Sequence, residues 1–368
     1  MYYSGPSTRL LDFISDNPTI HWIKFNKETE RIELVLDNHM LSTYRKCPTY
    51  AMYAFVEGLR KKAPTAMPGM VLSKQTERVW FLEFGILLHK VLEHYYKEFR
   101  NHNFDRFEFV TVMITRYWID MEMGKFKNEN EFISIGGLTG FIQLIYEFVV
   151  TYSAENEKIR VLGTEISFGK SHEVPLTLHQ DHLDVDIYLS GRIDILVDDG
   201  YFISPLDHKS FAYFKGDPIS RYVNDDGPTG YIFALKNILP KVVPEELFLK
   251  RDCNRILMNL ISKKSTPTPK DRFKRFHIFK TEYQLEQYRQ RQIQTSLRLL
   301  EDLERYIRQE PVIRNTDQCT QWFFRQCPFY DIDRQGSKES ELLTIKNGFL
   351  KLPIWDTETV NSSSKEEE

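Results

Sequence analysis

Apolar residues recur at helical spacing across residues 81–99, where Leu82, Phe84, Leu87, Leu88, Val91, Leu92 and Tyr95 share one face. The spacing predicts a buried amphipathic helix. Residues 141–152 read as a second helix, 230–238 as a third, and 282–308 as a long one with an apolar stripe among Gln, Arg and Glu. From residue 161 the pattern shortens to β-type runs at 161–168, 185–197 and 201–206, the last two separated by Asp198-Asp199-Gly200, which is a hairpin signal. Helices, then strands, then helices again predict an α/β or α+β fold, a central sheet flanked by N- and C-terminal helical regions.

Length and composition constrain this picture only loosely. A chain of 368 residues with 41% hydrophobic and 27% charged content can bury a substantial core. We expect a single domain over residues 1–356: a helical N-terminal part at about 41–155, a core at about 160–240, and a basic loop with a C-terminal helical part at about 241–335. The Ser- and Glu-rich residues 357–368 are expected to be disordered. No apolar stretch approaches the roughly 18 to 20 residues of a membrane span, and the N-terminus lacks the layout of a secretory signal. The expectation is an intracellular, cytoplasmic protein without a membrane partner. Cys47, Cys253, Cys319 and Cys327 are too sparse for a disulfide scaffold.

The net charge of −3 gives no global basic signature, so a polyanion-binding surface must be local. Residues 250–280 hold such a run, including Lys263, Lys264, Lys270, Arg272, Lys274 and Arg275, against Asp252 and Asp271 alone. Its alternative reading is a solvated charged surface. Pro267 and Pro269 mark residues 263–270 as an exposed loop.

The chemistry concentrates in the hairpin. If it closes over Asp199 and Gly200, Asp198 faces Tyr201 and position 194 lies opposite 205. Period-two alternation then places Asp194, Asp207 and Lys209 on one face, with His208 pointing away. Two carboxylates so placed can share a hard divalent cation, and a lysine beside them can neutralise charge on a phosphate or hold an attacking water. The alternative is a surface hairpin with an ion pair between Asp207 and Lys209.

Gly191-Arg192-Ile193-Asp194, followed by Pro205-Leu206-Asp207-His208-Lys209, resembles the core of the PD-(D/E)XK nucleases. Further landmarks resemble the RecB-like branch, in the expected order. Ser42-Thr43-Tyr44-Arg45-Lys46-Cys47-Pro48-Thr49-Tyr50 is similar to its N-terminal Ser-Tyr-Cys-Pro element, and Gly85 with His89 to its G-x-x-x-H helix. Glu165 stands where an acidic strand residue often precedes the core. Asn315, Cys319 and Cys327-Pro328-Phe329 resemble its closing element.

The resemblance implies an α/β fold with the central mixed β-sheet of a restriction-endonuclease-like core, and Mg²⁺- or Mn²⁺-dependent hydrolysis of DNA, by in-line attack of water with a 3′-oxygen leaving group. Asp194, Asp207, the backbone carbonyl of His208, and His89 would ligate metal, with Glu165 a ligand or a brace. Lys209 would be the catalytic lysine, and Lys263, Lys264, Lys270, Arg272, Lys274 and Arg275 would follow the phosphate backbone.

The chain departs from the pattern twice. Tyr231 fits the Q-x-x-x-Y motif, but its glutamine position is Gly227. Relatives with an iron–sulfur cluster use four cysteines; Cys47, Cys319 and Cys327 match, yet the fourth is missing from residues 330–333. That argues against a cluster and for buried structural thiols. The expected function is a DNA exonuclease of repair, recombination, replication or phage DNA processing, working beside a separate helicase or recombination protein, since the chain has no G-x-x-x-x-G-K-(S/T) motif. The rivals are a non-catalytic DNA-binding or assembly subunit, and a nuclease acting on RNA.

Overall fold

A computed structural model describes residues 6–61, 80–98, 106–126, 134–172, 175–178, 184–212, 214, 217–263, 272–315, 327–333, 335 and 337–351. Short helical turns apart, its elements run α1 (Thr8–Asp16), β1 (Ile23–Asn26), β2 (Arg31–Asp37), α2 (Asn38–Lys46), α3 (Pro48–Phe55), β3 (Leu59–Lys61), α4 (Trp80–Glu98), α5 (Arg106–Asp120) and α6 (Gly137–Asn156). They continue with β4 (Arg160–Phe168), β5 (Val185–Asp198), β6 (Ile203–Phe211), α7 (Asp226–Val242), β7 (Arg255–Ser262), β8 (Phe273–Phe279), α8 (Glu282–Ile307), α9 (Lys338–Gly348) and β9 (Phe349–Lys351). The fold is α/β. Seven strands form a mixed sheet in the order β1-β2-β5-β6-β7-β8 with β4 also on β5, while β3 and β9 pair separately. Among the described residues, no helix is long and apolar enough to cross a membrane.

Contacts divide the chain into two compact units, one of Met1–Val71, Ser167–Gly191 and Glu286–Glu368, the other of Leu72–Ile166 and Arg192–Leu285. In the first, β2 pairs parallel with the opening half of β5, from Ile32 opposite Val185 to Asp37 opposite Ser190. Asp37 ends β2 and caps α2, its Oδ1 accepting from the Met40 amide at 2.6 Å. Pro48 then opens α3 at a first-turn position, where its missing N–H costs nothing. The C-terminal segment returns to these helices. Tyr44 Oη donates to Asp302 at 2.7 Å, Asn315 Nδ2 to the Lys46 carbonyl at 3.0 Å, and Cys327 and Phe329 are buried with Tyr53 and Phe349.

The second unit is built on the α4 stripe. Phe84, Leu87, Leu88, Val91, Leu92 and Tyr95 are fully buried, in one cluster with Phe141, Leu144, Ile145 and Phe148 of α6 and with Ile195, Leu206 and Ile261 of the strands. The helices expected across residues 81–99 and 141–152 are therefore α4 and α6, although the Leu82 side chain lies outside the described residues. Strands β7 and β8 were not anticipated. Every residue of β7 is buried, so it shows no polar alternation for a period-two search to find.

Candidate metal centre on the β5–β6 hairpin

The hairpin turn corrects one expectation. Asp198 pairs with Ile203 rather than facing Tyr201, and the ladder continues to Ile195 opposite Leu206. The loop has four residues because the two aspartates capture its amides. Asp198 Oδ1 accepts from Gly200 N at 2.8 Å, and Asp199 Oδ1 from Tyr201 N and Phe202 N at 3.0 and 2.9 Å. Gly200 takes φ +92°, which only glycine adopts readily. The register moves by two residues, so every side chain keeps its face. The recorded ladder ends at Ile195 and Leu206, and extending the same register by one step sets Asp194 against Asp207.

Both carboxylates are deeply placed, with side chains 14% exposed for Asp194 and 4% for Asp207. Each has a cationic neighbour. Lys209 Nζ donates to Asp207 Oδ1 at 2.8 Å, and His89 Nδ1, carried by α4, lies 3.0 Å from Asp194 Oδ2. Burial opposes ionisation of Asp194, but the His89 charge and then Lys209 overcome it and hold its carboxyl far below the usual range. His89 is raised reciprocally: burial works against its charge, and Asp194 prevails. Asp207 goes the other way. Burial pushes it up to about 6, with Lys209 pulling down and Asp194 pushing further up. Lys209 itself is raised, since Asp207 outweighs its burial.

Glu165 stands on β4 with φ +51°, a strained backbone for a residue with a side chain. Burial pushes its carboxyl up to about 7, against the pull of Arg192, which pairs with it at 2.6 Å. His208 faces the other side of β6. It is buried between the rings of Tyr96 and Phe148, with Nδ1 3.2 Å from Asn259 Nδ2, and burial keeps it neutral.

A model of the PD-(D/E)XK nuclease superfamily matches residues 39–332. This chain belongs to that superfamily. No curated protein matches it. Members of the superfamily are in general nucleases that need a divalent metal, and the matched span includes the hairpin with Asp194, Asp207 and Lys209.

Does this donor set fit such a metal? Among the described residues, no three His, Cys, Asp or Glu side chains are gathered into a ready-made cage. Yet Asp194 Oδ2 and Asp207 Oδ2 are buried without an aligned hydrogen-bond donor. Asp194 Oδ2 still has the His89 charge 3.0 Å away, whereas Asp207 Oδ2 has no partner, and a buried acceptor left so costs on the order of 1–3 kcal/mol. Carboxylate oxygens are the ligands a hard divalent cation prefers, so the residues fit.

The other expected residues are distributed differently. Tyr231, on α7, stands close enough to Lys209 for their charges to interact, and burial raises its phenol. Gly227, at the glutamine position, serves the start of α7, its amide donating to Asp225 Oδ1 at 2.7 Å.

Much of the basic run is engaged inside the molecule. Arg272 is buried and pairs with Glu147 at 2.7 Å. The Arg275 guanidinium reaches Asn259, Glu155 and Asn156 and stacks 3.8 Å from the Tyr152 ring. Lys263 is buried with Nζ 4.6 Å from the Phe84 ring, and Lys274 is half-buried near Phe214. Lys264 and Lys270 lie outside the described residues, as does Cys319. Cys47 and Cys327 are buried thiols.

Sequence reasoning missed Arg192, which partners Glu165, and the Arg275–Asn259–His208 chain behind β6. Its place two residues before Asp194 is the one signal that could have found Arg192. Nothing in the sequence distinguishes Asn259 from an ordinary strand residue.

Proposed function

We propose that the protein is a divalent-metal-dependent deoxyribonuclease of the RecB-like kind, an exonuclease acting on DNA ends in repair, recombination, replication or phage DNA processing. The observation that carries this is the pair of deeply placed carboxylates on one face of a hairpin, Asp194 against His89 at 3.0 Å and Asp207 with Lys209 on one oxygen and no hydrogen-bond partner on the other. Asp194, Asp207, the carbonyl of His208 and His89 would hold Mg²⁺ or Mn²⁺. When bound, the cation supplies Lewis acidity at the phosphoryl oxygen and lowers the pKa of water.

The chain's own groups do the rest. Lys209 is the mobile cation of the site, with 37% of its side chain exposed, so its ammonium can turn from Asp207 to a phosphate oxygen and meet charge developing there. His89 would hold the cation only as neutral imidazole, so its proton, now shared with Asp194, would compete with metal for that nitrogen. Tyr231 steadies the lysine from α7, where no glutamine is available to do so. Glu165, locked by Arg192, braces the face beside Asp194.

A non-catalytic subunit that kept the fold is the second reading, and Gly227 is what favours it. One experiment separates the two: end-labelled linear single- and double-stranded DNA and closed circles, incubated in Mg²⁺, Mn²⁺ or EDTA with wild type, Asp207→Ala and Lys209→Ala. Cleavage that needs metal and is lost in both variants is the expected result, with linear substrates cut and circles spared. Wild-type protein that binds DNA and never cuts it in either metal overturns the catalytic reading.

A further inference from the structure

Within the first unit, α8 presents Arg291, Arg298 and Arg305 at seven-residue intervals. Seven residues are nearly two full turns, so the three guanidiniums form one stripe about 21 Å long. Arg45 of α2 joins them around a cleft of ≈ 540 Å³, with Pro48 and Ile313 on its wall. Arg291 and Arg298 are exposed, and Arg305 is 43% exposed, its contact with Asp302 a loose 3.5 Å. The cleft's acids are Glu301 and Asp302, and Asp302 is buried and already takes the Tyr44 hydroxyl at 2.7 Å. Four cations against two carboxylates leave the cleft at +2 on a chain whose net charge is −3.

We infer that this arginine-lined cleft is a second nucleic-acid contact, taking the backbone of an unpaired DNA strand; the inference rests on the nuclease reading for the choice of DNA. Evenly spaced guanidiniums suit a ligand with repeating phosphates better than a single anion. A cleft of this volume has the size of a small-ligand site, which admits a nucleotide or two at a time and excludes a duplex. Ile313, 64% exposed beside the arginines, offers an apolar surface that unpaired bases can cover and paired ones cannot.

The test is fluorescence anisotropy of a labelled oligo-dT of about 20 nucleotides in EDTA, where nothing is cut, across a salt series. Arg291→Glu/Arg298→Glu is compared with Lys24→Glu/Lys241→Glu, the same charge change on exposed lysines outside the cleft. The expected result is at least a tenfold weaker Kd for the arginine pair alone, with a salt slope smaller by about 1.4, the share of two single-strand phosphates. Equal losses in both pairs, or duplex competing as well as the unpaired strand, overturn the inference. Arg298→Gln, with its melting temperature checked against wild type, gives the same answer at half the slope change if the reversal pair misfolds.

The two readings fail separately. Metal-dependent cutting by wild type, with unchanged binding in the arginine pair, removes only the cleft; cleft-dependent binding without cutting removes only the nuclease.

Discussion

Asp207→Asn should stabilise the metal-free protein while abolishing its cleavage. The carboxylate is 4% exposed and pushed from 3.8 up to about 6, so ionising it in the folded state costs about two pKa units, a ceiling of about 3 kcal/mol. An acid raised on folding binds its proton more tightly in the native state. The stability it contributes is therefore full below about pH 4 and is lost as pH rises through 6. The amide keeps the shape and never ionises. Lys209, left without its partner, has more than a third of its side chain in water, so its charge stays solvated.

Urea unfolding in EDTA at pH 5, 6, 7 and 8 should show the variant drawing ahead of wild type as pH rises, with a plateau of about 1–3 kcal/mol above pH 7. Adding Mg²⁺ should recover the wild type, by mass action on the native state, and leave the variant unmoved. A difference that is flat from pH 5 to 8, or a variant less stable than wild type at pH 8, would refute the reasoning that Asp207 is held at a cost until a cation arrives.

Lys209→Ala should act in the opposite direction, lowering stability at pH 8 more than at pH 5, because it removes the cation that eases Asp207 ionisation; the same unfolding series reads it. Gly191→Ala should destabilise by about 1–3 kcal/mol, since an added Cβ would stand 2.5 Å from the Phe168 ring; the thermal unfolding of Gly191→Ala/Phe168→Leu should recover part of that loss. Arg275→Ala should cost about 3 kcal/mol by denaturant titration, leaving Asn259, Asn156 and Tyr96 short of a buried donor, whereas Lys274→Ala should stay within about 0.5 kcal/mol.

What the sequence disclosed of the site, and what it hid, follows from where each signal lives. Alternation along a strand survives a wrong turn as long as the error is even, so Asp194, Asp207 and Lys209 were placed on one face from a turn that was two residues too short. The turn itself was misjudged because Asp198 and Asp199 act through side-chain bonds to backbone amides, which a two-residue Asp-Gly reading does not weigh. The α4 and α6 helices were legible because each buries one stripe.

Strand β7, buried on both faces, has no contrast to read, and the charges that flank it mislead for the same reason. Arg272 and Arg275 look like surface cations in one dimension, and in three they meet Glu147 and Glu155, more than a hundred residues away in the chain. Charge counted along a sequence therefore says little about which cations face a ligand. The row on α8 is informative where the run at 250–280 is not, because helical periodicity fixes its members to one exposed stripe before any long-range partner is considered.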